Sequence, residues 1–219
     1  MNRRFRGIIF DVDGVLVDSE PLHHRAWKQI LVEFGITLSD EQFHRLMGKT
    51  THQILTMYFE QYGIQEDLEF WSFKKDEVYR SLVHKELKPL DGVVSLLEFL
   101  MSRKIQIGVA SSAVRQNVEA ALDCLGPQVS FDSVLSVEDI VHPKPNPEIY
   151  LKAAQNLKLP PNDCGVIEDS IPGIQSAKEA GAFVIGITTN VHPQGLTAAD
   201  LVCSSFHEIR LFLEPRLGP

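Results

Sequence analysis

From about residue 88 onward, short apolar runs alternate with segments whose apolar positions recur every three or four residues. The runs at 106–110, 133–137, 165–167 and 183–187 read as buried strands, and 201–203 as a short edge strand. An earlier run, Gly7-Ile8-Ile9-Phe10, makes a further strand near the start. Between the later runs, helical spacing predicts helices over 93–102, 114–125, 147–157 and 173–180. Pro147 suits a first helical position, and Gly126 and Gly181 suit helix ends. Strands alternating with helices imply an α/β fold with a doubly wound parallel sheet.

The stretch 21–87 breaks the alternation and reads as helices alone. Leu22, Ala26, Trp27, Ile30, Leu31 and Phe34 share one helical face, and Gly35 closes it. Ser39-Asp40-Glu41-Gln42 has the form of a capping box ahead of Phe43, Leu46 and Met47. Ile54, Leu55, Tyr58 and Phe59 mark a third helix stopped by Gly63; Leu68, Trp71, Val78 and Leu82 mark a fourth. Helices inserted after the first strand predict two domains, a core of 1–17 with 89–219 and a small helical cap of 18–88. Caps of this kind close over a site and exclude water.

The 219 residues suffice for one substantial core plus a small insertion. No apolar run approaches the roughly 20 residues that cross a bilayer. Asp11 also interrupts the apolar segment after the basic start too early for a secretory signal. Cys124, Cys164 and Cys203 are scattered and form no paired motif, which fits a reducing compartment, so a cytoplasmic location is expected. The formal net charge is −8, with no basic stripe and no basic amphipathic helix. Neither nucleic acid nor a membrane is therefore an expected partner. A monomer is expected. An anionic substrate would need local attraction against this field, which a divalent cation and a few lysines supply.

Asp11-Val12-Asp13-Gly14 sits where the first strand should end. In open α/β sheets, ligands bind outside the carboxyl ends of the strands. Chemistry has a use for two acids there: Asp11 as a nucleophile toward phosphorus, and Asp13 as the acid that protonates the leaving oxygen and then activates water. A turn or capping pair is the alternative for these two residues alone. Glu168-Asp169 is a second acidic pair at a predicted strand end, suited to completing a magnesium site with Asp11 and Asp13. Taken by itself, capping of the following helix explains that pair slightly better. Ser111 and Ser112 follow a strand and precede a helix, where a hydroxyl and free N–H groups seat a phosphate. For Ser112, plain capping is the preferred reading. Lys144 lies in His142-Pro143-Lys144-Pro145-Asn146-Pro147, and prolines on both sides fix where its ammonium points.

Together these four elements resemble, in this order and across essentially the whole chain, the motifs of the haloacid dehalogenase superfamily. Asp11-Val12-Asp13-Gly14-Val15 resembles the first motif, Ser111 the second, Lys144 the third and Glu168-Asp169-Ser170 the fourth. The resemblance implies Asp11 as nucleophile and Asp13 as acid/base, with the Asp13 carbonyl also facing magnesium. It implies Asp169 as a metal ligand, Glu168 in or beside that shell, and Ser111 and Lys144 as phosphate ligands, with Ser112 adjoining. An acid at position 13 implies phosphoryl transfer rather than dehalogenation.

Within the family, the chain is most similar to the β-phosphoglucomutase-like branch, which includes sugar-phosphate phosphatases. That similarity implies substrate roles in the cap for His23, Gly48, Lys49, Thr51 and Lys75. From the residues alone, His23 and Lys75 serve equally well as solvated helix residues. The mutases carry an arginine where Thr51 aligns, and threonine supplies neither its charge nor its bidentate grip. Lys49 nearby is a partial substitute. The expected function is magnesium-dependent hydrolysis of a small phosphomonoester, a sugar phosphate foremost, through an aspartyl-phosphate. The alternative is a β-phosphoglucomutase interconverting β-glucose 1-phosphate and glucose 6-phosphate.

Overall fold

The computed structural model describes residues 3–46, 49–189 and 193–218. The chain divides into two compact units, Met1–Asp18 with Lys88–Pro219, and Ser19–Leu87. Within the first unit, the Asp18 N–H donates to the Lys88 carbonyl at 3.1 Å.

The smaller unit is helical: α1 (Glu20–Val32), α2 (Asp40–His44), α3 (Thr51–Tyr62) and α4 (Leu68–Glu86). The apolar faces read from the spacing meet in one cluster that includes Trp27, Ile30, Leu31, Leu55, Phe59 and Trp71. Ser39 caps α2 as its sequence predicts, accepting from the Gln42 N–H while the Gln42 side chain accepts from the Ser39 N–H. Thr50 and Gln53 form a second such box at the start of α3. α2 stops at His44, short of the expected run through Leu46; Met47 lies outside the described residues.

The larger unit holds six parallel strands: β1 (Gly7–Phe10), β2 (Gln106–Ala110), β3 (Ser133–Leu135), β4 (Cys164–Glu168), β5 (Phe183–Ile187) and β6 (Leu201–Cys203). Their order is β3-β2-β1-β4-β5-β6. β1 and β4 are buried at every position, which is why they read as unbroken apolar runs. The connecting helices are α5 (Val93–Ser102), α6 (Arg115–Asp123), α7 (Glu148–Asn156), α8 (Ile171–Glu179) and α9 (Phe206–Leu213). α5 packs with α9 and α7 with α8, giving helical layers on both faces of the sheet. The α7–α8 side seals Ile9, Val166 and Val184 beneath Tyr150, Ala153 and Ile174. Among the described residues, no helix is long and apolar enough to cross a membrane.

Strand order reverses between β1 and β4, the point where doubly wound sheets open a crevice. Phe10 is level with Val109 on one side and Ile167 on the other. One residue further, the same register brings Asp11 beside Ala110 and Glu168. The sheet thus delivers both acidic pairs and the Ser111 loop to one end.

Candidate active site

The site begins where β1 stops. The Asp11 N–H still donates to the Ile167 carbonyl at 3.1 Å, which anchors the residue to the strand end. Asp13 then lies on a tight bend: the Gly14 N–H donates to the Val17 carbonyl, and the Leu16 and Val17 N–H groups donate to the Val12 carbonyl. Gly14 holds φ at 75°, a left-handed conformation that disfavours an L side chain. Asp13 is half-buried there.

Lys144 reaches in between β1, β2 and β4. Its Nζ lies 2.7 Å from Asp11 Oδ1, 2.7 Å from Glu168 Oε1 and 3.1 Å from the Ala110 carbonyl oxygen. The ammonium also sits 4.9 Å from the centre of the Tyr150 ring. Burial pushes the Asp11 carboxyl up to about 7; Lys144 opposes the shift, and Glu168 and Asp13 add to it. Burial also works to lower Lys144, but Asp11 and Glu168 outweigh it and hold the ammonium well above its ordinary range. Glu168 titrates below its ordinary value despite burial, because Lys144 and several hydrogen-bond donors stabilise its charge.

Glu168 is the most heavily bonded of the acids. Its Oε1 accepts from Lys144 and from the Tyr150 hydroxyl at 2.8 Å; its Oε2 accepts from the Asp169 N–H, the Ser170 N–H and the Ser170 hydroxyl. Burial and the adjacent Glu168 charge raise the Tyr150 phenol well above its usual range, so it remains a donor. A Cβ on Gly173 would fall 1.7 Å from Glu168 Oε1, so only glycine lets α8 approach this carboxylate. Sequence reasoning passed over both residues. Tyr150 looks like one more core position of α7, whereas Gly173 left a signal in its place just after Glu168-Asp169-Ser170.

Asp11, Glu168 and Asp169 offer carboxylate oxygens that all lie within 4.8 Å of one another. Three buried acids against one ammonium leave the cluster net negative, and its donors are all oxygen. That set fits a hard divalent cation such as magnesium. The Asp169-Ser170 pair divides its work: Ser170, not Asp169, caps α8, its hydroxyl accepting from the Gly173 N–H at 3.1 Å.

Ser111 is fully buried, and its hydroxyl accepts from the Ala113 N–H at 3.0 Å, shaping the loop after β2. The capping role read for Ser112 is corrected: the cap position of α6 is Val114, and the Arg115 N–H that opens the helix donates to the Glu138 carboxylate at 3.0 Å. Ser112 is half-buried in the loop between.

In the helical unit, Lys75 is buried, not solvated. Its Nζ lies 3.2 Å from Asp76 Oδ1, 3.1 Å from His23 Nδ1 and 3.4 Å from Thr51 Oγ1. His23 stacks on Tyr79 at 3.9 Å between ring centres, and the Thr51 hydroxyl donates to Asp76. Asp76, which the spacing gave no reason to single out, is the counter-charge that lets Lys75 be buried. Lys49 is exposed, and Gly48 lies outside the described residues.

Residues 8–187 match the family model of the haloacid dehalogenase-like hydrolases. The chain belongs to this family. Fructose-1-phosphate phosphatase YqaB of Escherichia coli is 31% identical over 187 residues, 85% of this chain and 98% of that protein. β-Phosphoglucomutase of Bacillus subtilis is 32% identical over 217 residues, 95% of this chain and 93% of that protein. The crystal structure of β-phosphoglucomutase from Clostridium difficile superposes with a TM-score of 0.86 at 28% identity, over 97% of each chain. This haloacid dehalogenase-like hydrolase therefore shares its family with both a phosphatase and a mutase.

Proposed function

We propose that the protein is a magnesium-dependent phosphatase acting on a small phosphomonoester, a sugar phosphate foremost. The observation that carries this reading is the buried Asp11–Lys144–Glu168 cluster at the switch point of the sheet. Asp11 attacks phosphorus; a bond forms between its carboxylate oxygen and phosphorus as the bond to the sugar oxygen breaks. Asp13 gives its proton to the leaving alcohol and then takes one from the water that cleaves the aspartyl-phosphate, releasing inorganic phosphate. Lys144 and Ser111, with Ser112 beside it, hold the phosphoryl oxygens. Asp11 and Asp169 would hold the magnesium, with Asp13 and Glu168 alongside; Glu168, already engaged by five donors, chiefly fixes the acidic wall. When bound, the ion offsets the repulsion between carboxylate and phosphate.

Similarity to a β-phosphoglucomutase supports a second reading, transfer to a sugar hydroxyl instead of water. Hydrolysis is favoured because Thr51 is uncharged and its hydroxyl is engaged with Asp76. Product analysis separates the two. With β-glucose 1-phosphate and magnesium, the expected products are glucose and inorganic phosphate; predominant glucose 6-phosphate would establish the mutase. Asp11→Asn should abolish either reaction while leaving the circular dichroism spectrum unchanged.

A further inference from the structure

The loop that presents Lys144 has few backbone donors of its own. Three of its residues, Pro143, Pro145 and Pro147, carry no N–H, so between 141 and 147 only Val141, His142, Lys144 and Asn146 do. A loop so poor in donors makes few backbone bonds of its own, and its shape depends on side chains that accept from the donors it has.

Glu148, the first residue of α7, is that acceptor. Its carboxylate takes the Val141 N–H at 3.1 Å and the His142 N–H at 2.9 Å, and it lies 3.1 Å from His142 Nδ1. Lys152, one turn along α7, donates to Glu148 Oε1 at 2.7 Å and to the Asp139 carbonyl at 2.8 Å, tying in the incoming end of the loop. On the outgoing end, Asn146 Oδ1 accepts from the Glu148 N–H, and the Asn146 carbonyl accepts from Ser176 of α8. The Lys152 bond and the two backbone N–H groups hold the Glu148 carboxyl down to about 2. The Asn146 N–H is used within the loop, on the Pro143 carbonyl.

We propose that Glu148 is a positioning residue for Lys144: by gripping the backbone of Val141 and His142, it holds the loop in the one shape that drives the Lys144 ammonium between Asp11 and Glu168. Glu148 acts from outside the site, through the backbone. The consequence for turnover rests on the reading of Lys144 as a phosphate ligand; the consequence for the position of Lys144 does not.

The test is reductive methylation of surface amines, read lysine by lysine by mass spectrometry, in the whole protein and in Glu148→Ala. In the parent protein Lys144 is protected. In Glu148→Ala its labelling rises at least about tenfold, while Lys75, buried in the helical unit, stays protected and reports that the fold has not loosened generally. kcat/KM for p-nitrophenyl phosphate falls at least about tenfold, and inhibition by inorganic phosphate weakens in parallel, as expected when a charged group is displaced by a fraction of an ångström or more. Unchanged protection of Lys144, or Lys75 exposed together with it, overturns the inference. Exposure of Lys144 with turnover and phosphate inhibition unchanged upholds the positioning and overturns Lys144 as the phosphate ligand. If Glu148→Ala does not fold, Glu148→Leu, which fills the same space with no acceptor, carries the same readouts and the same outcomes.

Discussion

At the scale of single residues, Lys144 decides most. It is one buried cation between two buried carboxylates, and an ion pair of this kind is far costlier to break than to lack. Lys144→Ala should destabilise the protein by about 3–5 kcal/mol, measured as a shift in the urea unfolding midpoint with the slope unchanged. A change below about 1 kcal/mol would mean that water already screens the pair. Lys144 was legible beforehand because flanking prolines set it apart, and Asp11, Ser111, Glu168 and Asp169 because each stands at the end of an apolar run. Tyr150, Gly173 and Asp76 were not. Tyr150 acts through the polar tip of a core side chain, and Gly173 through an absence of atoms. Asp76 matters only because α1 and α3 bring His23 and Thr51 to Lys75, the ammonium beside it on α4. Nothing in a one-dimensional pattern carries these relations.

Among the elements, the strands were the most readable: 7–10, 106–110, 183–187 and 201–203 appear with the expected limits. Burial on both faces makes such runs continuous, and the signal does not depend on neighbours. The ends set by side-chain bonds were less so. β3 stops at Leu135 because Ser136 turns away, its N–H and hydroxyl both donating to Asp139. α8 starts at Ile171, two residues before the expected start, because Ser170 caps it and Pro172 is tolerated in a first turn. The capping box of α2 was visible in its sequence; that of α3, built by Thr50 and Gln53, is equally complete. Ser39→Ala and Thr50→Ala should each lower stability by about 1 kcal/mol in urea titrations and leave kcat near the parent value. A loss from either above about 2 kcal/mol would show that the cap does more than close its helix.

For the whole molecule, the puzzle is a net charge of −8 on a protein proposed to draw in an anion. The sheet answers it by gathering Asp11, Glu168 and Asp169 at one end, where they suit a divalent cation. Magnesium that binds the folded state alone should raise stability by about 2.7 kcal/mol at a hundred times its dissociation constant. A thermal scan with and without chelator checks this, and Asp169→Asn should remove most of the shift. An equal shift in Asp169→Asn would place the ion elsewhere. The central claim is that phosphorus passes through Asp11. It is tested most directly by quenching the protein in acid during turnover of p-nitrophenyl phosphate, reducing it with borohydride and mapping peptides by mass spectrometry. The account predicts conversion of Asp11 to homoserine, dependent on substrate and absent from Asp11→Asn. Release of phosphate with Asp11 unmodified, or with the modification on another residue, would contradict it.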